Sequence, residues 1–545
     1  MMGRISVAAC AALLLLAGCA TQTPAPDAGL VPLQILAVND FHGNLEPPSG
    51  GFSTSEGVSV PAGGAEHLAT AVSTLRATEP NTIMVAAGDL IGASPLLSSL
   101  FHDEPAIESL SSMGLALAAV GNHEFDEGAD ELRRMQSGGC HPVDGCQGPH
   151  TFAGAGFDYL AASTIDRRTR QTVFPGVAIR EFGGVKVGFI GLTLEGTPGL
   201  ISPEWAGELE FRDEAETVNA LVPSLHADGV EAIVVLIHEG GETTGGYNDC
   251  EGVSGPIVDI VSAFDPAVDI VVTGHTHQAY NCRIDGRLVT SAGRYGMALT
   301  KIDAMLDPET GDFASAAARN LIVAHADYRP DAAQTALLAD YRVAAAPLMN
   351  REVGSVPAPL SRAANAGGES ALGDVIADAQ LEAGAAEGAV IAFMNPGGIR
   401  EDIRGRADGT VVFNDLYTAQ PFGNGLVAGT MTGAQIDALL EQQFRADGGM
   451  TILQVSDGFS YEWDASAPVG DKVSGVTLHG GPIDPMRDYR IVLNSFLSTG
   501  GDGFTEFLNA RDEASLIVDV DALEDYFGAH SPVAPGLQDR IVRVD

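Results

Sequence analysis

Residues 33–42 read LQILAVNDFH, a short and mostly apolar run that stops at an Asp-x-His pair. Side chains two apart on an extended segment point the same way, so Asp40 and His42 are presented together. Working outward, the same arrangement recurs. TIMVAAGDL (82–90), ALAAVGNHE (116–124), VKVGFIGLT (185–193), AIVVLIHEG (232–240) and VDIVVTGHTH (268–277) are apolar runs with polar ends. Runs this apolar fit strands buried on both faces, in a sheet covered by helices. Helical patterns over Gly64–Thr78 and Asp213–Asp228 lie between them. The polar residues fall at the C-terminal ends of the strands, where open α/β sheets place their sites. A layered α/β domain is predicted over residues 31–325.

A chain of 545 residues is too long for one core, because cores rarely grow beyond ~250–300 residues. From Pro330 to Val353 the spacing is helical and reads as a linker helix, assigned to residues 326–353, with a break expected near Pro347. Residues 354–545 carry further strand candidates, AVIAFMN, LVAGTM, FSYEW, GVTLH and YRIVLN. They predict a second, smaller α/β domain.

The strand ends carry Asp40, His42, Asp89, Asn122, His123, Glu124, His238, His275 and His277, including five of the chain's 13 histidines. A lone histidine at a strand end is usually a surface or capping residue. An ordered set of imidazoles with carboxylates and an amide is different, and its donors suit zinc, manganese or similar first-row ions. The order D-x-H, GD, GNHE, H, GHTH resembles the calcineurin-like metallophosphatases. The resemblance implies two divalent metal ions bridged by Asp89. Asp40, His42 and His277 would complete one site; Asn122, His238 and His275 would complete the other. Such a pair clamps phosphoryl oxygens and activates water for in-line attack. By the same resemblance His123 is no ligand but donates to a phosphoryl oxygen or the leaving group, with Asp126 orienting it. The bland reading of Asp126 is an acid at a helix N-terminus.

The second domain has its own marks: Glu369-Ser370-Ala371-Leu372-Gly373-Asp374, Asn395-Pro396-Gly397-Gly398-Ile399-Arg400, Gln420-Pro421-Phe422-Gly423-Asn424, and the stretch Phe496 to Phe504 containing Asp502. Alone, each glycine-rich loop is a turn and each Phe a core residue. After the metal blocks, the chain over residues 33–510 resembles bacterial 5′-nucleotidases, a family that includes UDP-sugar hydrolases and 2′,3′-cyclic nucleotide phosphodiesterases. The resemblance implies a base held between Phe422 and Phe496. Asn395 and Asp502 would bond base or ribose, with Gly398 in the same loop. Arg400 and Arg362 would serve the phosphate. The chain departs from the pattern at Ala366, where a second arginine is common, at Asp374, where Asn is common, and at Ser163. Hydrolysis of nucleoside 5′-monophosphates is the expected activity. UDP-sugar hydrolysis and cyclic phosphodiesterase/3′-nucleotidase activity are the alternatives within the family. A sulfur-oxidation thiohydrolase and a non-catalytic surface binding protein stand further off.

Charge and cysteines bound the setting. With 72 acidic against 29 basic residues the net charge is −43. That speaks against a nucleic-acid polymer as partner, and against electrostatic docking on anionic lipid. A small anionic substrate then needs local positive charge, which bound metals supply. At the N-terminus, Arg4 precedes the apolar run Ile5–Ala17, which ends Leu16-Ala17-Gly18-Cys19. This reads as an export signal with a lipoprotein cleavage box spanning 1–19, and Cys19 as the lipidated residue. Residues 20–30 read as a flexible tether. The expected location is the periplasmic face of a bacterial membrane, by lipid anchor alone. Ala20 and Thr21 after the cysteine favour the outer membrane. Cys140, Cys146, Cys250 and Cys282 are left for disulfides, 140 with 146 and 250 with 282. A four-cysteine zinc site is the rival reading, disfavoured by the spacing.

Overall fold

The computed structural model describes residues 29–48, 51–54, 57–201, 203–445 and 448–545. The expected export signal, Cys19 and nearly all of the tether lie outside the described residues.

Two six-stranded sheets face each other in the first domain. The first has the order Asp312–Ile322, Ala298–Asp307, Val31–Val38, Thr82–Ala87, Leu115–Ala119, Asp158–Leu160. Its last four strands are parallel. The second runs Ala279–Ile284, Arg287–Ala292, Ile270–Thr273, Ala232–His238, Val185–Thr193, Val177–Phe182, again parallel at its centre. Between the sheets lies an apolar layer from both, including Ile35, Val85, Leu117, Phe189, Val234 and Val272. The strands are therefore buried on both faces, but the inner cover of each sheet is the other sheet, where the sequence pattern suggested helices. Small and β-branched residues such as Ala37, Ala87, Ala119 and Val234 suit that face-to-face packing. Helices cover only the outer faces. Ala65–Arg76, Glu104–Ser112 and Gly128–Ser137 cover the first sheet; Glu214–Ala227 and Pro256–Ala263 cover the second.

The helix Ala332–Met349 is capped by Asp331, whose side chain accepts from the N–H groups of Ala333 and Gln334. It runs through Pro347 without breaking there, which corrects the expected break. Pro347 sits in the last turn, where the one missing N–H bond disrupts little. Nor is the helix a free linker. Leu338, Tyr341 and Ala345 are buried in the outer core of the first domain, and the Tyr341 hydroxyl donates to Glu108 at 3.0 Å.

The second domain is built on a five-stranded sheet ordered Gln454–Val455, Ile391–Met394, Asp488–Asn494, Gly425–Thr432, Arg511–Val518. Helices Ala371–Ala383 and Asp519–His530 pack together on one face, while Gly433–Glu441 and a small four-stranded sheet bury Phe393, Phe459 and Leu440 on the other. The two domains meet through Leu96 and Leu100 of the first, which join a core containing Phe413, Leu416 and Ala419 of the second. Both expected disulfides are formed, Cys140–Cys146 and Cys250–Cys282, which removes the four-cysteine zinc reading. Among the described residues no helix is long and apolar enough to cross a membrane.

Candidate functional site

Because the central strands of both sheets are parallel, their C-terminal ends open at one edge. There the chain brings together Asp40, His42, Asp89, Asn122, His238, His275 and His277. The first three, Asn122 and His238 are almost wholly buried. The loops that deliver them are strained: Asp40, His42, Asp89, His275 and His277 all have positive φ, between 45° and 70°. Residues other than glycine adopt this region at a cost, and such outliers gather at functional sites. Close packing fixes the same edge. A Cβ at Gly121 would sit 2.1 Å from Asp89 Oδ1, and one at Gly88 would sit 2.7 Å from His238 Nδ1.

Two subsets can be seen. In one, His42 Nε2 lies 3.2 Å from His277 Nε2, and Asp40 Oδ1 lies 3.4 Å from His277 Nε2. In the other, His238 Nε2 lies 3.2 Å from Asn122 Oδ1, and His275 is within reach of both Asp89 and His238. Asp89 Oδ2 faces both, 3.6 Å from His42 Nε2 and 3.0 Å from His238 Nε2. Ligands bound at about 2.0–2.2 Å stand at comparable separations from one another.

Hydrogen bonds on the far side of the rings decide what these nitrogens can do. His42 Nδ1 is 2.8 Å from the Gly92 carbonyl, and His238 Nδ1 is 2.8 Å from the Ala87 carbonyl. A carbonyl only accepts, so each Nδ1 carries the proton and each Nε2 presents a lone pair. His238 Nε2 therefore confronts two acceptors, Asp89 and Asn122, and a cation must sit among them. Without metal a proton takes that place. Burial works to lower the pKa of His238, but the Asp89 carboxylate holds it up at about 10. Burial and the charge of His238 push His275 down to about 4, and burial lowers His42 and His277 as well, so these imidazoles are neutral donors. Burial also opposes ionisation of Asp40, but His277 keeps its carboxyl below the usual value. Four imidazoles, two carboxylates and an amide oxygen thus fit the divalent ions that the fold implies.

Around this centre stand side chains that position it. Glu124 accepts from the backbone N–H groups of Asp89, Leu90 and Gly121 at 2.6–2.8 Å, so one carboxylate clasps both the GD and the GN loops. Burial and the neighbouring Asp89 push its carboxyl up to about 8. Asn39 donates to Asp40 Oδ2 at 2.6 Å. His123 also brings a ring nitrogen within 4.8 Å of ligating atoms of His42 and Asp89; its Nδ1 is 2.8 Å from Asp126 Oδ2, and its backbone N–H donates to Asp89 Oδ1 at 3.0 Å. Burial works against its imidazolium, yet Asp126 raises its pKa above the usual value.

The second domain reaches this edge. The Phe422 ring stacks on His123 with centroids 5.9 Å apart and planes at 22°, and the Arg400 guanidinium lies over the same Phe422 ring at 5.6 Å. Arg362 donates to the Arg400 carbonyl. Further out, Asn395 donates to Asp502 at 2.8 Å and accepts from Asn494 at 3.0 Å. Gly398 is buried behind them, and Phe496 packs on Gly501. Sequence reasoning passed over Arg294, 3.3 Å from His277 Nδ1, and Tyr295, whose ring lies edge-on to both His42 and His277. A cavity of about 260 Å³ opens between the domains, lined by Asn44, Glu46 and Tyr295 on one side and Arg400, Asp402 and Thr418 on the other.

Comparison with known proteins follows the same division. Residues 33–279 match the family described as calcineurin-like phosphoesterase, and residues 349–509 match the 5′-nucleotidase C-terminal domain. The chain is 33% identical to the cell wall protein Lmo0130 of Listeria monocytogenes over 557 residues, covering 94% of this chain and 70% of that protein. It is 32% identical to the endonuclease YhcR of Bacillus subtilis over 473 residues, covering 86% of this chain but only 37% of that longer protein. Among solved structures, a 5′-nucleotidase precursor from Thermus thermophilus aligns with a TM-score of 0.78 at 26% identity, over 94% of this chain and 99% of that one. The chain belongs to the phosphoesterase family in which a calcineurin-like metallophosphatase domain is joined to a 5′-nucleotidase C-terminal domain.

Proposed function

We propose that the protein hydrolyses the phosphate ester of nucleoside 5′-monophosphates to nucleoside and phosphate. The observation that carries this reading is the pairing of lone-pair donors around Asp89 with an aromatic ring and a guanidinium, Phe422 and Arg400, brought over His123 from the second domain. Two divalent cations held by Asp40, His42, Asp89, Asn122, His238, His275 and His277 would supply the electrophilic clamp and the activated water. The chain's own residues do the rest. Asp126 fixes the Nδ1 proton of His123 and stabilises its imidazolium, so Nε2 can give a proton to the departing oxygen. Arg400, with Arg362 beside it, offsets phosphate charge in a chain that is otherwise strongly acidic. Phe422 and Phe496 offer π faces to a base, and Asn395 with Asp502 offers an amide and a carboxylate to its polar edge or to ribose.

Relatives bearing the name 5′-nucleotidase in Vibrio vulnificus and Vibrio cholerae, 24% and 25% identical, support a nucleotide substrate. The name of the YhcR relative raises a polymeric substrate, but a net charge of −43 opposes a phosphate backbone. The reading includes export and lipid attachment through Cys19, which rests on the apolar run before it and on two disulfides suited to an oxidising compartment. The test is a phosphate-release panel on AMP, UDP-glucose and 2′,3′-cyclic AMP, with manganese, zinc or chelator added. AMP should be the best substrate, and chelator or Asp89→Ala should abolish release. Preferred release from the cyclic or sugar nucleotide would replace the monophosphate assignment, and chelator-resistant turnover would remove the metal mechanism.

A further inference from the structure

The loop that supplies the acceptor for His42 is itself held by a residue that touches no metal donor. Gly92 offers its carbonyl to His42 Nδ1 at 2.8 Å, and that bond is what leaves His42 Nε2 with a lone pair for an ion. The Gly92 N–H, on the other side of the same residue, donates to Asp103 Oδ2 at 3.0 Å. Gly92 sits in a tight place. Its φ is 80°, and a Cβ there would stand 2.6 Å from the His123 carbonyl oxygen and 2.7 Å from Asp126 Oδ2. This one residue therefore adjoins a metal donor on one side and the His123–Asp126 pair on the other.

Asp103 bears two costs at its position. Its φ is 60°, in the left-handed region, where a residue other than glycine is strained. Its side chain is buried, and burial pushes the carboxyl above its usual pKa. Neither cost serves the adjoining helix. Asp103 occupies the N-cap of Glu104–Ser112, where an aspartate ordinarily accepts from the N–H groups of the first turn, yet its side chain makes no capping bond. The carboxyl reaches instead across eleven residues to Gly92. Between them lies the short helix Leu96–Ser99, whose Leu96, with Leu100 after it, packs into the core of the second domain. The bond thus closes at its base the loop that meets the second domain.

We propose that Asp103 is a positioning residue for the metal subset containing His42: by fixing Gly92 it keeps the carbonyl acceptor under His42 Nδ1 and so aims Nε2 at the ion. The inference rests on the metal reading above and concerns its His42 half alone. It asks of Asp103 an acceptor oxygen at the right reach, and no charge. Asparagine keeps such an oxygen and tolerates a left-handed backbone, whereas glycine adopts that backbone without strain and has no oxygen to offer.

The experiment titrates manganese into the full chain after chelator has removed its metal, reads binding by calorimetry, and follows AMP turnover on the same preparations. Wild type should take up about two ions per chain. No uptake by wild type would remove the metal reading itself, whereas the variants test Asp103. Asp103→Gly should bind one of the two ions about tenfold more weakly, the low end for losing support behind a histidine ligand, with KM for AMP unchanged and kcat recovering in excess manganese. Asp103→Asn should restore that affinity to within about twofold of wild type. His42→Ala should lose the ion, and adding Asp103→Gly to it should weaken the remaining ion no further, since a residue that acts through His42 then has nothing to act on. Melting of the metal-free protein checks that Asp103→Gly folds; should it not, Asp103→Ser, whose side chain is too short to reach Gly92, takes its place. Unchanged affinity for both ions in the glycine variant, equal losses in the glycine and asparagine variants, or a further loss in the double variant would each overturn the proposal.

Discussion

At the scale of single residues, the proposed mechanism separates chemistry from metal holding at His123. Its Nδ1 is tied to Asp126, and its hydrogen bond to Asp89 comes from the backbone N–H, although the ring also lies near Asp89 and His42. His123→Ala should therefore keep its metal and lose about 10²–10⁴ in kcat, the usual range for a positioned proton donor. Metal content and AMP turnover measured on one preparation check this; unchanged kcat would remove the role. The residues at the strand ends could be read from sequence because an apolar run ending in Asp, His or Asn is an unusual place for such groups. The roles of Glu124, Asn39 and Arg294 could not be read in the same way. Glu124 acts by accepting three backbone N–H groups, and Arg294 by where a loop folds back, and neither leaves a period in the sequence.

At the scale of elements, the helix Asp519–His530 begins with a conflict. An acid in a first turn is ordinarily favoured by the helix dipole. Asp519, however, is buried, and burial outweighs its bonds to the Val520 N–H and to Asn424, raising its carboxyl to about 7. The folded state then holds a proton that the unfolded chain releases near pH 4. Stability from this group is complete below that pH and is lost as pH rises toward 7. Asp519→Asn should gain thermal stability relative to wild type across pH 4–7, with the gain flat above pH 8; a gain independent of pH would show that the carboxyl is not the cause. Strands and helices were legible because their periods differ. What covered the inner strand faces was not, because a strand covered by a second sheet and one covered by helices are both apolar on each side. The continuity of the helix through Pro347 was hidden for a related reason: a proline reports its own lost bond, not its distance from the helix end.

At the scale of the whole molecule, helix Ala332–Met349 belongs in packing terms to the first domain. Any swing of the second domain must therefore turn on residues after Met349. The domains touch where Tyr417 packs in one core with Leu96 and Leu100, next to Ser99. A cross-link between cysteines placed at Ser99 and Tyr417 should lower AMP turnover by about tenfold or more if opening is part of each cycle. Full turnover in the cross-linked protein would show that the closed arrangement works as a fixed frame. The converging donors come from residues 40–277, whereas Arg362, Asn395, Arg400, Phe422, Phe496 and Asp502 come from the other body. On the proposed reading, bond-breaking and molecular choice thus reside in pieces that match two separate family models. A gene lineage could exchange one by recombination near residue 350, acquiring a new diet while keeping its old hydrolytic engine.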